Sequence, residues 1–136
     1  MDNRRRDLFA RYVLESLGLS QFKEPGTAII VRGTSIIATG FKQQLIEGEV
    51  YCTSAIIIAL FEYISSKKML YDALIPDILF CSYFPSLEEF KTLCYMTDIR
   101  KIYYMGEITD EEAVKFLNKQ TKKDPQNGFE IIKLKI

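Results

Sequence analysis

The chain has 136 residues, 48% of them hydrophobic and 26% charged, which fits one globular domain over 1–136. Eighteen basic and eighteen acidic residues cancel, so a general grip on polyanions is not its default chemistry. There is no histidine, which excludes every mechanism built on an imidazole base or ligand.

Phe9, Tyr12, Val13, Ser16 and Leu17 recur at helical spacing and predict a helix over about 4–17, with Gly18 as its stop. Arg4, Arg5 and Arg6 read as a solvated helix start. Ala28–Val31 and Ser35–Thr39 are short β-branched runs around Gly33-Thr34 and predict a hairpin. Residues 41–49 read as a loop. Residues 52–67 hold no breaker and carry the apolar run Ala55–Phe61, which predicts a central buried helix capped by Thr53 or Ser54. That run is too short to span a bilayer, and no signal-type run follows the N-terminus.

Ile78–Phe84 predicts a strand closed by Pro85. Ser86-Leu87-Glu88-Glu89 is a capping box opening a helix with Leu87, Phe90, Leu93 and Cys94 on its apolar face. Ile99–Met105 predicts a strand. Thr109 and the acids after it start a helix to about Lys119 with Ala113, Phe116 and Leu117 inward. Residues 119–128 read as a polar loop, in which Lys119, Lys122 and Lys123 belong to a solvated face. Residues 128–136 predict a terminal strand. Tyr71, Tyr83, Tyr95, Tyr103 and Tyr104 are read as core and interface packing. The order α-β-β-α-β-α-β-α-β implies an α/β fold: a three-layer α/β/α sandwich on a mixed, mostly parallel five-stranded sheet, the hairpin supplying the antiparallel strands.

Cys52, Cys81 and Cys94 are odd in number and form no Cys-x-x-Cys pair, so neither a disulfide framework nor a structural zinc site fits. They read as reduced thiols of an intracellular protein without membrane attachment.

Four strings taken together resemble the cytidine and deoxycytidylate deaminase superfamily, which includes the tRNA adenosine deaminases. Gly26–Val31 and Ser35–Phe41 resemble its "GAVIV…IIATGYN" hairpin, Leu79–Pro85 its "LYxTxxPC" strand and Asp98–Tyr104 its "GIKRVVY" strand. The resemblance implies a cytidine deaminase-like fold. In the family, three ligands from a [His/Cys]-Ala-Glu and a Pro-Cys-x-x-Cys motif hold zinc at two helix starts. The zinc lowers the pKa of bound water to about 7, and the glutamate moves protons.

The resemblance places Cys52-Thr53-Ser54 on the first motif and Pro85-Ser86-Leu87-Glu88-Glu89 on the second. Cys52 and Pro85 survive. Ser54 stands at the glutamate, and Ser86 and Glu89 stand at the two cysteines. Lys42 replaces the asparagine that follows Gly-Tyr/Phe. Phe41, Lys42, Tyr51 and Tyr83 would line the vestigial pocket. The expectation is therefore no catalytic residue, no bound zinc and no other cofactor. Family members assemble through the helices flanking the zinc site, so a fold kept without its chemistry implies an inactive homologue acting by association. Its partner would be a second copy, an active deaminase or another protein. The alternative reading is a nucleotide- or nucleic-acid-binding module using the old pocket, and an active deaminase with a rebuilt metal site ranks last.

Overall fold

The computed structural model describes residues 2–17, 26–44, 52–65 and 76–135, with the backbone alone at 43–44 and 52–53. The elements are α1 (Asn3–Ser16), β1 (Thr27–Arg32), β2 (Ser35–Phe41), β3 (Gln43–Gln44), β4 (Cys52–Thr53), α2 (Ala55–Ser65), β5 (Asp77–Cys81), α3 (Leu87–Met96), β6 (Lys101–Tyr104), α4 (Glu111–Lys123) and β7 (Glu130–Lys133). The main sheet has five strands in the order β2-β1-β5-β6-β7. β1 runs antiparallel to both its neighbours, and β5, β6 and β7 pair in parallel. The sheet is mixed as expected. Four of its five strands run in one direction and β1 alone runs against them, so its insertion between β2 and β5 makes two of the four pairings antiparallel.

The two faces of the sheet are covered differently. Ala28, Ile30, Leu79, Cys81, Ile102 and Tyr104 point to a core completed by α2, α3 and α4. The alternate residues Ile29, Val31, Ile78, Phe80 and Tyr103 pack with Phe9, Ala10 and Val13 of α1. The period-2 alternation of strands thus builds the three layers.

Several boundaries differ from the sequence reading. The helix expected over 52–67 begins at Ala55, because Cys52 and Thr53 pair with Gln44 and Gln43 as a two-residue strand within the expected loop. It is buried on one face only: Ala55, Ile56, Ala59, Leu60 and Tyr63 face the core, whereas Phe61 is 62% exposed. An all-apolar run cannot say which side meets solvent. The strand expected to reach Phe84 ends at Cys81, where Ser82 N–H bonds back to the Thr27 carbonyl at 3.0 Å and the chain leaves the sheet. The last helix is capped by Asp110, whose carboxylate accepts from Ala113 N–H at 3.1 Å, and it runs four residues past Lys119. The strand expected over 99–105 is confined to Lys101–Tyr104, and the terminal strand to Glu130–Lys133. Tyr71 lies outside the described residues.

The end of the sheet away from the α2 and α3 N-termini is fastened electrostatically. Arg32 and Asp77 face each other across β1 and β5 and form a two-pronged ion pair, Nε–Oδ1 2.7 Å and Nη2–Oδ2 2.8 Å. The Tyr63 hydroxyl, from the last turn of α2, also donates to Asp77. Burial and the adjacent Asp77 carboxylate push the Tyr63 phenol above its ordinary pKa. At the far end of α3, Arg100 donates to the carbonyls of Cys94 and Thr97 at the helix end, and to that of Leu93, which also accepts from Thr97.

Candidate functional site

The N-termini of α2 and α3 meet, and each is capped by its own serine. Ser54 Oγ accepts from Ile57 N–H at 3.0 Å, the usual N-cap bond. Ser86 Oγ accepts from Glu89 N–H at 3.3 Å, while Glu89 Oε1 accepts from Ser86 N–H at 2.9 Å, so the capping box read from the sequence is complete.

Glu89 does more than cap its own helix. Its Oε2 accepts from the Ser54 hydroxyl and, at 2.5 Å, from the Tyr83 hydroxyl. The Tyr83 oxygen in turn accepts from Ile56 N–H at 3.2 Å. Two hydroxyls therefore relay the α2 N-terminus to a carboxylate fixed on α3. Each helix start carries roughly half a positive charge, so the carboxylate sits where two such fields add. Glu89 is only 4% exposed. A buried carboxylate is costly unless hydrogen-bonded, and this one has three donors.

Tyr83 reaches Glu89 because the chain leaves β5 after Cys81. Burial first, then the Glu89 charge, pushes its phenol far above the ordinary value, so it stays a donor. Over its ring lies the ammonium of Lys42, 5.0 Å from the centroid. Lys42 is held there by its backbone, whose N–H donates to the Gly26 carbonyl at 2.9 Å. Its stem lies against Gly26, where an added Cβ would approach Lys42 carbons to 2.8–3.0 Å.

The structure thus brings together Ser54, Tyr83, Ser86, Glu89 and Lys42. Pro85 is buried immediately before Ser86, and Phe41 ends β2 opposite Thr27, half-buried. The backbone of Cys52 lies in β4. Tyr51 and the Cys52 side chain lie outside the described residues. Sequence reasoning missed Asp110, whose second oxygen accepts from Leu87 N–H at 2.9 Å and adds another carboxylate to the α3 N-terminus. The acidic run at 110–112 is the available signal, but it points only to α4.

These donors do not fit a zinc ion. Zinc wants thiolate, imidazole or carboxylate lone pairs directed at one point. Here Glu89 Oε1 is taken by the capping box, Oε2 by two hydroxyls, and Ser86 Oγ by Glu89 N–H. Among the described residues, no three His, Cys, Asp or Glu side chains cluster as a metal site. Cys81 is fully buried beneath the network, and its thiol is pushed well up, by burial first and the Glu89 charge second. We expect native Cys81 to resist iodoacetamide at pH 8 and to react only as fast as the protein unfolds, because the thiolate is the nucleophile. Rapid native-state labelling of Cys81, read by peptide mass spectrometry, would contradict that burial.

Neither a family model nor a curated protein matches the chain. Solved structures do. The dCMP deaminase of cyanophage S-TIM5 superposes with TM-scores of 0.70 in its apo form and 0.73 in complex with dCMP and dUMP. Both are at 20% identity, over 98% of this chain and 100% and 99% of that protein. The chain has the cytidine deaminase-like fold. RibD of Acinetobacter baumannii matches at TM-score 0.65 and 14% identity, over 97% of this chain and 35% of its own. A Thermotoga maritima diaminohydroxyphosphoribosylaminopyrimidine deaminase/reductase matches at TM-score 0.61 and 15% identity, over 96% of this chain and 36% of its own. The deaminase-like scaffold is therefore present from α1 to β7, with the Glu89 network at its paired helix starts. No described helix is long and apolar enough to cross a membrane.

Proposed function

We propose that this protein is a catalytically inactive member of the deaminase-like fold that works by association with another protein chain. One observation supports the reading: the carboxylate of Glu89 is tied to Ser54, Tyr83 and Ser86, at positions where the family resemblance would put the zinc ligands and the proton shuttle. A hydroxyl at position 54 has no acid/base chemistry near neutral pH, so a proton shuttle of the deaminase kind is missing too.

The test is turnover. Protein equilibrated with zinc is expected to release no ammonia from cytidine, dCMP or adenosine in RNA. Turnover above the protein-free blank overturns the reading.

Association is supported by the outward side of α2. Ile57 and Ile58 are half-buried and Phe61 is 62% exposed, a stripe at i, i+1 and i+4. We expect light scattering to report a dimer or larger assembly, and Phe61→Glu to shift it to monomer without loss of helical signal. A monomeric wild type would restrict the reading to a hetero-partner, and an unchanged assembly in Phe61→Glu would remove this face from it.

A further inference from the structure

The basic residues of α4 are read from sequence as a solvated face, and Tyr95 as packing. The structure separates Tyr95 from the core. Tyr95 is 72% exposed, its ring held edge-to-face against Phe116 with ring centroids 6.5 Å apart. The ring is both exposed and held in place, so one face is open to a ligand.

Tyr95 and Phe116 form one wall of an open cleft of about 370 Å³ between the C-terminal halves of α3 and α4. The other residues lining it are Lys119, Gln120, Lys122 and Lys123, with no acid among the described residues. Positions 119, 122 and 123 are spaced i, i+3 and i+4, so their stems rise from one side of α4. All three are exposed. Among the described residues none is ion-paired, although Lys115 on the same helix is paired with Glu112. Two of them, in the last turn, complement the helix dipole, but that accounts for neither Lys119 nor the open ring.

We propose that this cleft binds single-stranded nucleic acid, with Tyr95 stacking a base and the three lysines meeting the backbone phosphates. An aromatic platform beside a cationic track is what sequence-tolerant strand binding requires, because every base has a π-face and every nucleotide a phosphate. An acidic peptide would use the lysines and leave the ring idle. The cleft is distinct from the Glu89 site: Ser86 and Tyr95 are nine residues apart on α3, about 13 Å along its axis.

The experiment is fluorescence anisotropy of labelled oligothymidylate with the full chain across a potassium chloride series. Wild-type binding is expected to weaken linearly in log–log form. In Lys119→Gln/Lys122→Gln/Lys123→Gln the slope should become shallower by about 2, since each phosphate contact on a single strand contributes about 0.7. Tyr95→Ala should weaken binding at least about fivefold with the slope unchanged. Both variants alter exposed side chains, so circular dichroism should match wild type. Arg4→Gln/Arg5→Gln/Arg6→Gln removes the same charge from α1 and should change neither slope nor affinity. The proposal is overturned by no binding at low salt, by an equal loss in the α1 variant, or by an unchanged slope in the α4 variant. Displacement by polyglutamate as effective as by unlabelled strand would assign the cleft to acidic peptides. Equal displacement by thymidine monophosphate at matched nucleotide concentration would reduce it to a mononucleotide site.

Discussion

Gly40→Ala is expected to destabilise the protein by about 3 kcal/mol or more, a large share of the 5–15 kcal/mol that holds a typical domain together. A Cβ at Gly40 would stand 1.9 Å from the Ala55 carbonyl oxygen and 2.6 Å from the Ala59 nitrogen. Both are backbone atoms, so no rotamer change relieves the clash, and α2 as a whole would have to lift from β2. Ala55 and Ala59, both fully buried, are the matching small residues on the helix. Urea unfolding measures the loss. Gly128→Ala is the comparison, because its Cβ meets only the side chain of Thr121, at 3.0 Å or beyond, and it should cost under about 1 kcal/mol. A wild-type midpoint for Gly40→Ala would mean that α2 does not approach β2 as described.

Glu89→Ala is expected to cost about 3 kcal/mol. Truncation leaves the hydroxyls of Ser54 and Tyr83 without their acceptor in a buried setting and opens the Ser86 capping box. Glu89→Gln should cost less, about 1–2 kcal/mol. One amide oxygen can still accept from both hydroxyls, but the amide nitrogen then faces the Ser86 N–H, donor against donor. A double-mutant cycle with Ser54→Ala isolates the link between the two helices, and a coupling of about 1 kcal/mol is expected. Additive losses would show that Glu89 caps α3 and does nothing for α2.

What could be read from the sequence divides along the range of the interaction. The Ser86–Glu89 box is legible because both partners lie within one helical turn, and its geometry follows from helix ends alone. The strand cores Ala28–Val31 and Leu79–Cys81 are legible because β-branched and aromatic residues bury on both faces of a covered sheet. The meeting of Ser54 with Glu89 spans 35 residues, and no local pattern encodes it. Only the family resemblance put those positions side by side. Tyr83 looked like a strand residue because Phe80 to Phe84 is continuously apolar or aromatic apart from Ser82. The break is tertiary: Thr27 N–H bonds to the Ser82 hydroxyl, at 3.0 Å. The exposed side of α2 is not legible, because a run that is apolar on every side does not say which face meets the core. Thr109 and Asp110 both cap well, and only the fold places Leu87 N–H within reach of the Asp110 carboxylate.

Zinc stoichiometry after equilibrium dialysis at micromolar metal tests the central claim, that a hydrogen-bonded carboxylate has taken the place of the metal centre. Wild-type protein is expected to retain no stoichiometric zinc. Ser86→Cys/Glu89→Cys, with Cys52 kept, puts thiols at the helix starts, where the dipole favours thiolate, and is expected to bind about one equivalent. One equivalent of zinc in the wild type would contradict the claim, and a folded variant that binds none would show that these positions do not converge as deaminase ligands do.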